Sequence, residues 1–460
     1  MKKSAARYEI DMCNGSLVSG ILRFALPLIL TNVLHLAFNA ADMIVVGRFS
    51  GSPTALAAVG ATGSLITLIV NLFIGIATGV NVLVANYRGA GRSKDISETV
   101  HTSMIMSAIG GVLLLIIGVV FASTFLTWMG TPSDVIGEST LYMRIYFLGM
   151  PFFLVYNFGA AVLRAVGDTK RPLIYLSASG VLNVLLNLFF VIVLKMGVAG
   201  VAVATVSSQV LSAVLIVRCL MVSEGAYQLV LKKLRVTKHK LFRILQIGLP
   251  AGLQSSLFSI SNVLIQSSVN SFGSAVMSGN TAASNIEGFV YTIMNSIAQA
   301  ALSFVGQNYG AHKYKRVDQS LVTCLLLAGI GGALVGNLAY LLGPQLLTLY
   351  TTDPQEIVYG LNRMQLVACF YFICGLMDTF SYTMRGLGMA VTPTIISLTG
   401  ACIFRIVWIY TIFAAHHTQF MLYISYPISW ALTVLAYVVS YLIIRKRKFI
   451  TEPMATTLRQ

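Results

Sequence analysis

Arg164-Ala-Val-Gly-Asp-Thr-Lys-Arg-Pro172 and Arg385-Gly-Leu-Gly-Met-Ala-Val-Thr-Pro393 carry Arg, Gly and Pro at identical internal spacing, and each matched pair lies 221 residues apart. Fainter pairs share that offset: Gly89-Ala90 with Gly310-Ala311, and Leu126-Thr127 with Leu347-Thr348. Pro27 and Pro250 match at an offset of 223. A repeat of this length predicts two bundles built alike.

The composition says what kind of bundle. The chain has 460 residues, 57% hydrophobic and 10% charged, with mean hydropathy +0.81. Soluble domains carry about 25% charged residues. So apolar a chain of this length reads as an all-α polytopic membrane protein, with lipid covering the surface that a soluble protein leaves to water. Spans of about 20 apolar residues fall at 17–40, 54–82, 99–123, 135–157, 171–194 and 198–221. A second set falls at 244–268, 279–303, 319–343, 357–380, 391–413 and 420–444. The division between spans 7 and 8 rests on Asn270-Ser-Phe-Gly-Ser, a turn-like stretch in a region without charge.

The net charge of +16 suggests nucleic acid only until the cations are placed. They concentrate before span 1, after every even-numbered span and in the tail, with Arg48, Arg144, Lys195, Arg363 and Arg405 as the exceptions. Asp134, Glu138, Asp353 and Glu356 occupy the odd loops. The positive-inside rule then puts both termini and the even loops in the cytoplasm of a cell-membrane protein. Twelve spans, six per half, both halves entering from the same side, make a parallel repeat of two pseudo-symmetric six-helix lobes, an arrangement that often encloses a transport pathway. The expected organisation is an N-terminal lobe over 1–221, a basic linker over 222–243 that meets anionic lipid headgroups, a C-terminal lobe over 244–445 and a tail over 446–460. The first apolar segment lacks a small-residue cleavage site and is expected to stay as a span. The six cysteines form no C-x-x-C pair, so neither a disulfide framework nor a metal site is expected.

Ionisable residues inside spans are costly and mark function by default. Asp42 in span 1 leads. A carboxyl there can bind and release a proton, hold Na⁺ or attract a cationic substrate, and a structural pairing with Arg48 is the plainer alternative. Glu287 in span 8 and Asp378 in span 10 are the second-half candidates for ion coupling. Arg405 in span 11 is the expected partner of one of them, since an unpaired buried Arg is costly. Asn183 and Asn187 share one helical face and either join helices or line a polar cavity. Asn39 precedes Asp42 by three residues. Gln254 and Asn262 sit in a span 7 that also carries Ser255, Ser256, Ser259, Ser261 and Gln266, more polar than a lipid-facing helix. These residues, with Arg405, are the expected lining of a substrate cleft. No Walker P-loop occurs, so an ion gradient or passive movement must drive any transport.

With these residues in place the chain resembles the MATE (multidrug and toxic compound extrusion) transporters over nearly its full length. The resemblance rests on Pro27 with Asp42-Met-Ile-Val-Val-Gly47, Leu56-Ala-Ala-Val-Gly60, Asn86-Tyr-Arg-Gly89-Ala90-Gly91, Gly197-Val-Ala-Gly200-Val-Ala-Val-Ala204-Thr205, Val305-Gly-Gln-Asn-Tyr-Gly310-Ala311 and the two Arg-x-x-Gly…Pro stretches. It implies two six-helix lobes around a V-shaped cleft, and antiport of H⁺ or Na⁺ against cationic amphipathic compounds, with Asp42 in a coupling role. Two departures are visible. Asn187 stands where some members carry an acid in span 5, and span 7 lacks the Glu that others carry. Besides the coupling ion and small-molecule substrates, no cofactor, enzyme chemistry or nucleic acid partner is expected, and the chain is expected to act as a monomer in lipid. The alternative is a lipid-linked oligosaccharide flippase of the wider superfamily, for which the cavity cations are few: Arg144, Arg363 and Arg405.

Overall fold

Residues 8–52 and 54–451 are described by a computed structural model, and no strand occurs among them. The helices are α1 Leu17–Phe49, α2 Ala55–Gly89, α3 Ser93–Trp128, α4 Ile136–Leu148, α5 Met150–Ala165, α6 Lys170–Leu188, α7 Gly197–Val222 and α8 Lys238–Asn270. They continue as α9 Ser274–Gly310, α10 Tyr314–Leu341, α11 Gly343–Leu347, α12 Pro354–Leu366, α13 Tyr371–Gly386, α14 Val391–Ser397, α15 Phe404–Trp408 and α16 Gln419–Arg445. Short π-helical turns follow α6 (Phe189–Val193) and flank α15 (Leu398–Ile403 and Ile409–Phe413).

The duplicated motif is a helix stop joined to a helix start. α5 ends at Ala165 and α13 at Gly386, each just inside its copy. Gly167 (φ 98°) and Gly388 (φ 79°) then both take the left-handed conformation that L side chains resist. The backbone closes identically in both copies. Gly167 N donates to Arg164 C=O (3.0 Å) and Asp168 N to Leu163 C=O (2.9 Å). Gly388 N donates to Arg385 C=O (2.8 Å) and Met389 N to Met384 C=O (3.1 Å). Pro172 and Pro393 sit in the first turns of α6 and α14, where no intrahelical N–H is missed. Each proline's C=O accepts from a buried tyrosine, Tyr156 (3.0 Å) in one copy and Tyr437 (2.7 Å) in the other.

A second repeated turn departs from glycine. Gly91 (φ 67°) is matched 221 residues later by His312 (φ 56°). A side chain in that region costs roughly 1–2 kcal/mol. His312→Gly is therefore expected to raise stability by up to about 1 kcal/mol, offset in part by the lost His312 Nδ1 to Tyr314 Oη contact (3.0 Å). Thermal unfolding of the purified protein measures it.

Nine helices among the described residues are long and apolar enough to cross a membrane, and two bent pairs raise the number to eleven. The bent pairs are α4 with α5 and α12 with α13, each turning by 48°. These are the expected continuous spans 4 (135–157) and 10 (357–380), so each is two helices rather than one. The break before α5 falls at Gly149-Met150-Pro151, where the proline fits the first turn of a new helix but not the middle of an old one. The twelfth expected span is α8, 33 residues long, whose Gln, Ser and Asn residues lower its apolarity. It ends at Asn270, and Gly273 (φ 96°) turns the chain into α9, where the sequence places the cut. α7 ends at Val222 and α8 begins at Lys238, so the expected linker 222–243 includes the first turns of a helix.

Chain contacts divide the protein into two units. Among the described residues, one contains 8–10 with Leu26–Gly252, the other Asp11–Ala25 with 253–451. Chain order alone places the divisions at 221 and 244. The first half of α8 belongs to the first unit because Gly75 and Gly79 of α2 meet Gly248 and Gly252 of α8 with no room for a Cβ, the close approach that small residues permit between membrane helices. The start of α1 belongs to the second unit, where Phe24 meets Phe304 edge to face at 5.9 Å and Asn308 Nδ2 donates to Met12 C=O (3.0 Å).

The helices are patterned inside out relative to a soluble protein. α3 buries Thr99, Ser103, Ser107, Gly110 and Gly111, and turns Ile109, Leu113 and Val120 outward at 54%, 52% and 59% exposure. Small and polar residues join the helices while large apolar ones meet lipid.

Candidate functional site

Asp42 lies in α1 of the first unit, and its partners come from α6 and α7. Asn187, fully buried, donates from Nδ2 to the Asp42 carboxylate. The same amide nitrogen lies 3.2 Å from Asn183 Oδ1. Asn183 Nδ2 lies 3.4 Å from Thr205 Oγ1, and the Thr205 hydroxyl also hydrogen-bonds Asp42. The four-residue spacing of the two asparagines puts both on one face of α6, one turn before the helix widens into the π-helical turn at Phe189. Such turns recur at functional sites. The plainer alternative, a structural pairing of Asp42 with Arg48, is not made: among the described residues Asp42 has no ion-pair partner.

The Asp42 carboxylate faces a cavity of about 120 Å³. Its walls include His35 and Asn39 from α1, Tyr142 and Tyr146 from α4, Ser179 and Asn183 from α6, and Thr205, Ser208, Gln209 and Ser212 from α7. At about 30 Å³ per water this holds roughly four waters, whereas drug-sized ligands occupy about 300–1,000 Å³. In this conformation the cavity suits a small hydrated ion. Asn187 Oδ1 is buried and accepts no hydrogen bond. It points away from the carboxylate, because the Asn187 nitrogen is the atom that faces Asp42 and Asn183 Oδ1. The Asp42 carboxylate, Asn183 Oδ1 and Thr205 Oγ1 are the neighbouring oxygens of the type that hard cations prefer.

The cavity wall depends on Gly180, where a Cβ would overlap the Phe38 ring. Gly180→Val is expected to drive Phe38 toward the cavity, cost roughly 1–3 kcal/mol in stability and slow transport. Thermal unfolding and efflux by the same preparation check this, and an unchanged midpoint with full efflux contradicts it.

The second unit treats its carboxylates differently. Arg363 grips Glu287 with two donors, Nε to Oε1 (3.2 Å) and Nη2 to Oε2 (2.7 Å), and both residues are buried. Arg363 Nη1 donates to Asn280 Oδ1 (2.8 Å), which also accepts from Tyr423 Oη (3.3 Å). The Arg363 guanidinium lies 5.5 Å from the Tyr423 and Tyr426 rings. Arg405, expected to pair with Glu287 or Asp378, pairs with neither. Its Nε donates to Ser429 Oγ (2.8 Å), and its guanidinium lies 4.2 Å from the Tyr426 ring and 5.4 Å from Trp430. The aromatic faces replace the acid that the sequence reading assigns to it. Asp378 on α13 is hydrogen-bonded by Tyr291. Gln254 is buried and accepts from Arg385 Nη2 (2.8 Å), while Asn262 is exposed on α8. Arg385 is itself buried at the end of α13, not solvated in a loop.

The structure thus joins Asp42, Asn39 and Asn183 around one cavity, with Asn187 bound to Asp42, and leaves Glu287, Asp378, Gln254, Asn262 and Arg405 elsewhere. Sequence reasoning passes over Thr205, Ser208, Gln209 and Ser212, although their i, i+3, i+4, i+7 spacing is a polar stripe along an otherwise apolar span. It names Arg363 only as an exception to the charge sorting and as a possible cavity cation, not as the partner of Glu287.

Comparison with known proteins is consistent along the whole chain. A family model described as MatE matches residues 27–189 and again residues 250–411, one match per half. The chain is 30% identical over 440 residues to "Probable multidrug resistance protein YoeA" of Bacillus subtilis strain 168, spanning 93% of this chain and 94% of that protein. It is 24% identical over 402 residues to "Probable multidrug resistance protein YpnP" of the same organism, spanning 86% and 88%. A solved structure described as a crystal structure of MATE in complex with MaL6 superposes with a TM-score of 0.87 at 23% identity, covering 95% of this chain and 98% of that one. At that identity it speaks for the fold, which has twelve membrane helices in two lobes.

Proposed function

We infer the activity from one premise: this chain belongs to the MATE family of membrane transporters. We propose that it is a secondary multidrug exporter that antiports H⁺ or Na⁺ against cationic, amphipathic organic compounds by alternating access. The observation that carries the coupling step is Asp42, a carboxylate without a cationic partner among the described residues, facing an ion-sized cavity and held by the Asn187 amide nitrogen, with the Asn183 carbonyl oxygen and the Thr205 hydroxyl in the same network. A negative charge held this way in a membrane segment is costly, and it is relieved when a proton or Na⁺ binds. A cationic substrate is drawn to the same charge. Ion and substrate therefore exclude each other, which makes entry of one release the other. Asn183, Asn187 and Thr205 hold and orient the carboxylate, and Asn183 and Thr205 supply further oxygens to a bound cation. The relatives bearing the name multidrug resistance protein support the substrate class.

We place the protein in the cell membrane with both termini in the cytoplasm, supported by the sorting of Lys and Arg. The flippase alternative is not favoured. Arg363 is engaged by Glu287, Arg405 by Ser429 and two aromatic rings, and Arg144 Nε by Val119 C=O (3.1 Å). These engagements leave few cations to receive a pyrophosphate.

The test is dye efflux in everted vesicles with H⁺ and Na⁺ gradients imposed one at a time. Efflux driven by one gradient and collapsed by its ionophore identifies the coupling ion. Equal dye movement with no gradient overturns the antiport reading.

A further inference from the structure

The segment between α7 and α8 does not hang free. At one end His101 on α3 binds Val230: the His101 Nδ1–H donates to Ser97 C=O (2.7 Å), which leaves Nε2 to accept from Val230 N–H (3.1 Å). At the other end Thr237 N donates to Thr102 Oγ1 (3.1 Å). Residues 230 and 237 are thus pinned to neighbouring positions on α3, and the residues between them must arch away from the helix. Beyond the second anchor, Lys240 is buried and bound to Asp95 and to Tyr87 Oη (3.0 Å), its Nζ 4.2 Å from the Tyr87 ring centre.

The arch and α3 enclose a cleft of about 540 Å³ lined by Lys94, Ser97, Glu98 and His101 of α3 and by Lys232, Lys233, Leu234 and Arg235 of the arch. Arg235 reaches Glu98 at 3.6 Å. Lys94, Lys232 and Lys233 have no ion-pair partner among the described residues. The cleft therefore holds four cations against one carboxylate, beside the first two turns of α3. The arch also exposes apolar side chains beside its cations: Leu231 and Val236 are exposed outside the cleft lining, as is Phe242 on α8, and Leu234, partly exposed, lines the cleft itself. A site for a soluble polyanion has no use for that rim, whereas an interfacial segment buries such residues among acyl chains while its cations meet phosphates.

We propose that this cleft is a binding site for the phosphate headgroup of an anionic phospholipid, drawn from the leaflet that the charge sorting assigns to the cytoplasm. Lys94, Lys232 and Lys233 contact the phosphate, Glu98 holds Arg235 against the wall, and Leu231 and Val236 meet the acyl chains. The bound lipid fixes the connection between α7 and α8 to α3. This site is separate from the Asp42 cavity and does not depend on the coupling reading.

Native mass spectrometry of the full-length protein, released from detergent containing equal phosphatidylglycerol and phosphatidylcholine, tests it. The wild type is expected to retain one phosphatidylglycerol in preference to phosphatidylcholine. Removing a cation near an anionic headgroup weakens binding by roughly fivefold, so the K94Q/K232Q/K233Q variant is expected to lose at least about tenfold in retention. All three side chains are exposed, so the fold should not depend on them. E98Q moves the charge the other way and is expected to retain phosphatidylglycerol at least as well as the wild type. Equal retention of the two lipids, undiminished retention by the triple variant, or weaker retention by E98Q overturns the proposal. So does displacement of phosphatidylglycerol by millimolar inorganic phosphate, which identifies a site for free phosphate.

Discussion

Asp42→Asn is expected to abolish ion-driven dye efflux, leaving accumulation at the level of cells that lack the transporter, while the protein remains folded in the membrane. The two side chains have nearly the same shape. The Asn187 amide can rotate so that its Oδ1, which accepts no hydrogen bond in the wild type, takes an N–H from the introduced amide in place of the lost carboxylate contact. Exchanging a charge-assisted hydrogen bond for a neutral one changes stability by about 1 kcal/mol or less. The loss is therefore expected in transport and not in folding. What disappears is the charge that attracts both the ion and the cationic substrate. Efflux assays and thermal unfolding on the same preparations separate the two effects. Full efflux by this variant removes Asp42 from the mechanism. Loss of efflux together with a collapsed unfolding midpoint assigns it a structural role instead.

Arg363→Ala is expected to be the most destabilising single change, by about 3–5 kcal/mol. It leaves the buried Glu287 carboxylate without either of its guanidinium contacts and strands Asn280 Oδ1 with Tyr423 alone. A compensating pair, Glu287→Leu with Arg363→Met, removes both charges at once and is expected to recover most of that loss, since well-packed apolar residues often match a buried ion pair. The pair also tests what Glu287 does. If the carboxylate only completes a structural bridge, the double variant transports dye at near wild-type rates. If Glu287 couples ion movement, the double variant is stable but inactive.

These outcomes depend on pairings that the sequence does not contain. The class of protein, the twelve spans, the repeat and the position of Asp42 were all legible, because each follows from composition, from spacing or from the cost of a charge in lipid. The turn motif was legible as a repeat, but its backbone detail, a left-handed glycine that stops one helix and an early proline that starts the next, came from the structure. The second 221-residue pair at Gly91 and His312 was harder to see, since a histidine gives no hint of its φ.

Partner choice is another matter. Asp42 and Asn187 are 145 residues apart, and nothing in either helix says which face of α6 turns toward α1. Glu287 and Arg363 are 76 residues apart. From sequence, Arg405 was as plausible a partner, because burial demands a counter-charge but does not name it. Packing decided otherwise, setting Tyr426 and Trp430 around Arg405 and giving the carboxylate to Arg363. The sequence by itself determined what must be buried, how often the chain crosses the membrane and where charge is expensive. Only the tertiary structure decided which neighbours meet that expense, because a helix fixes the order of its faces but not which of them a distant helix packs against.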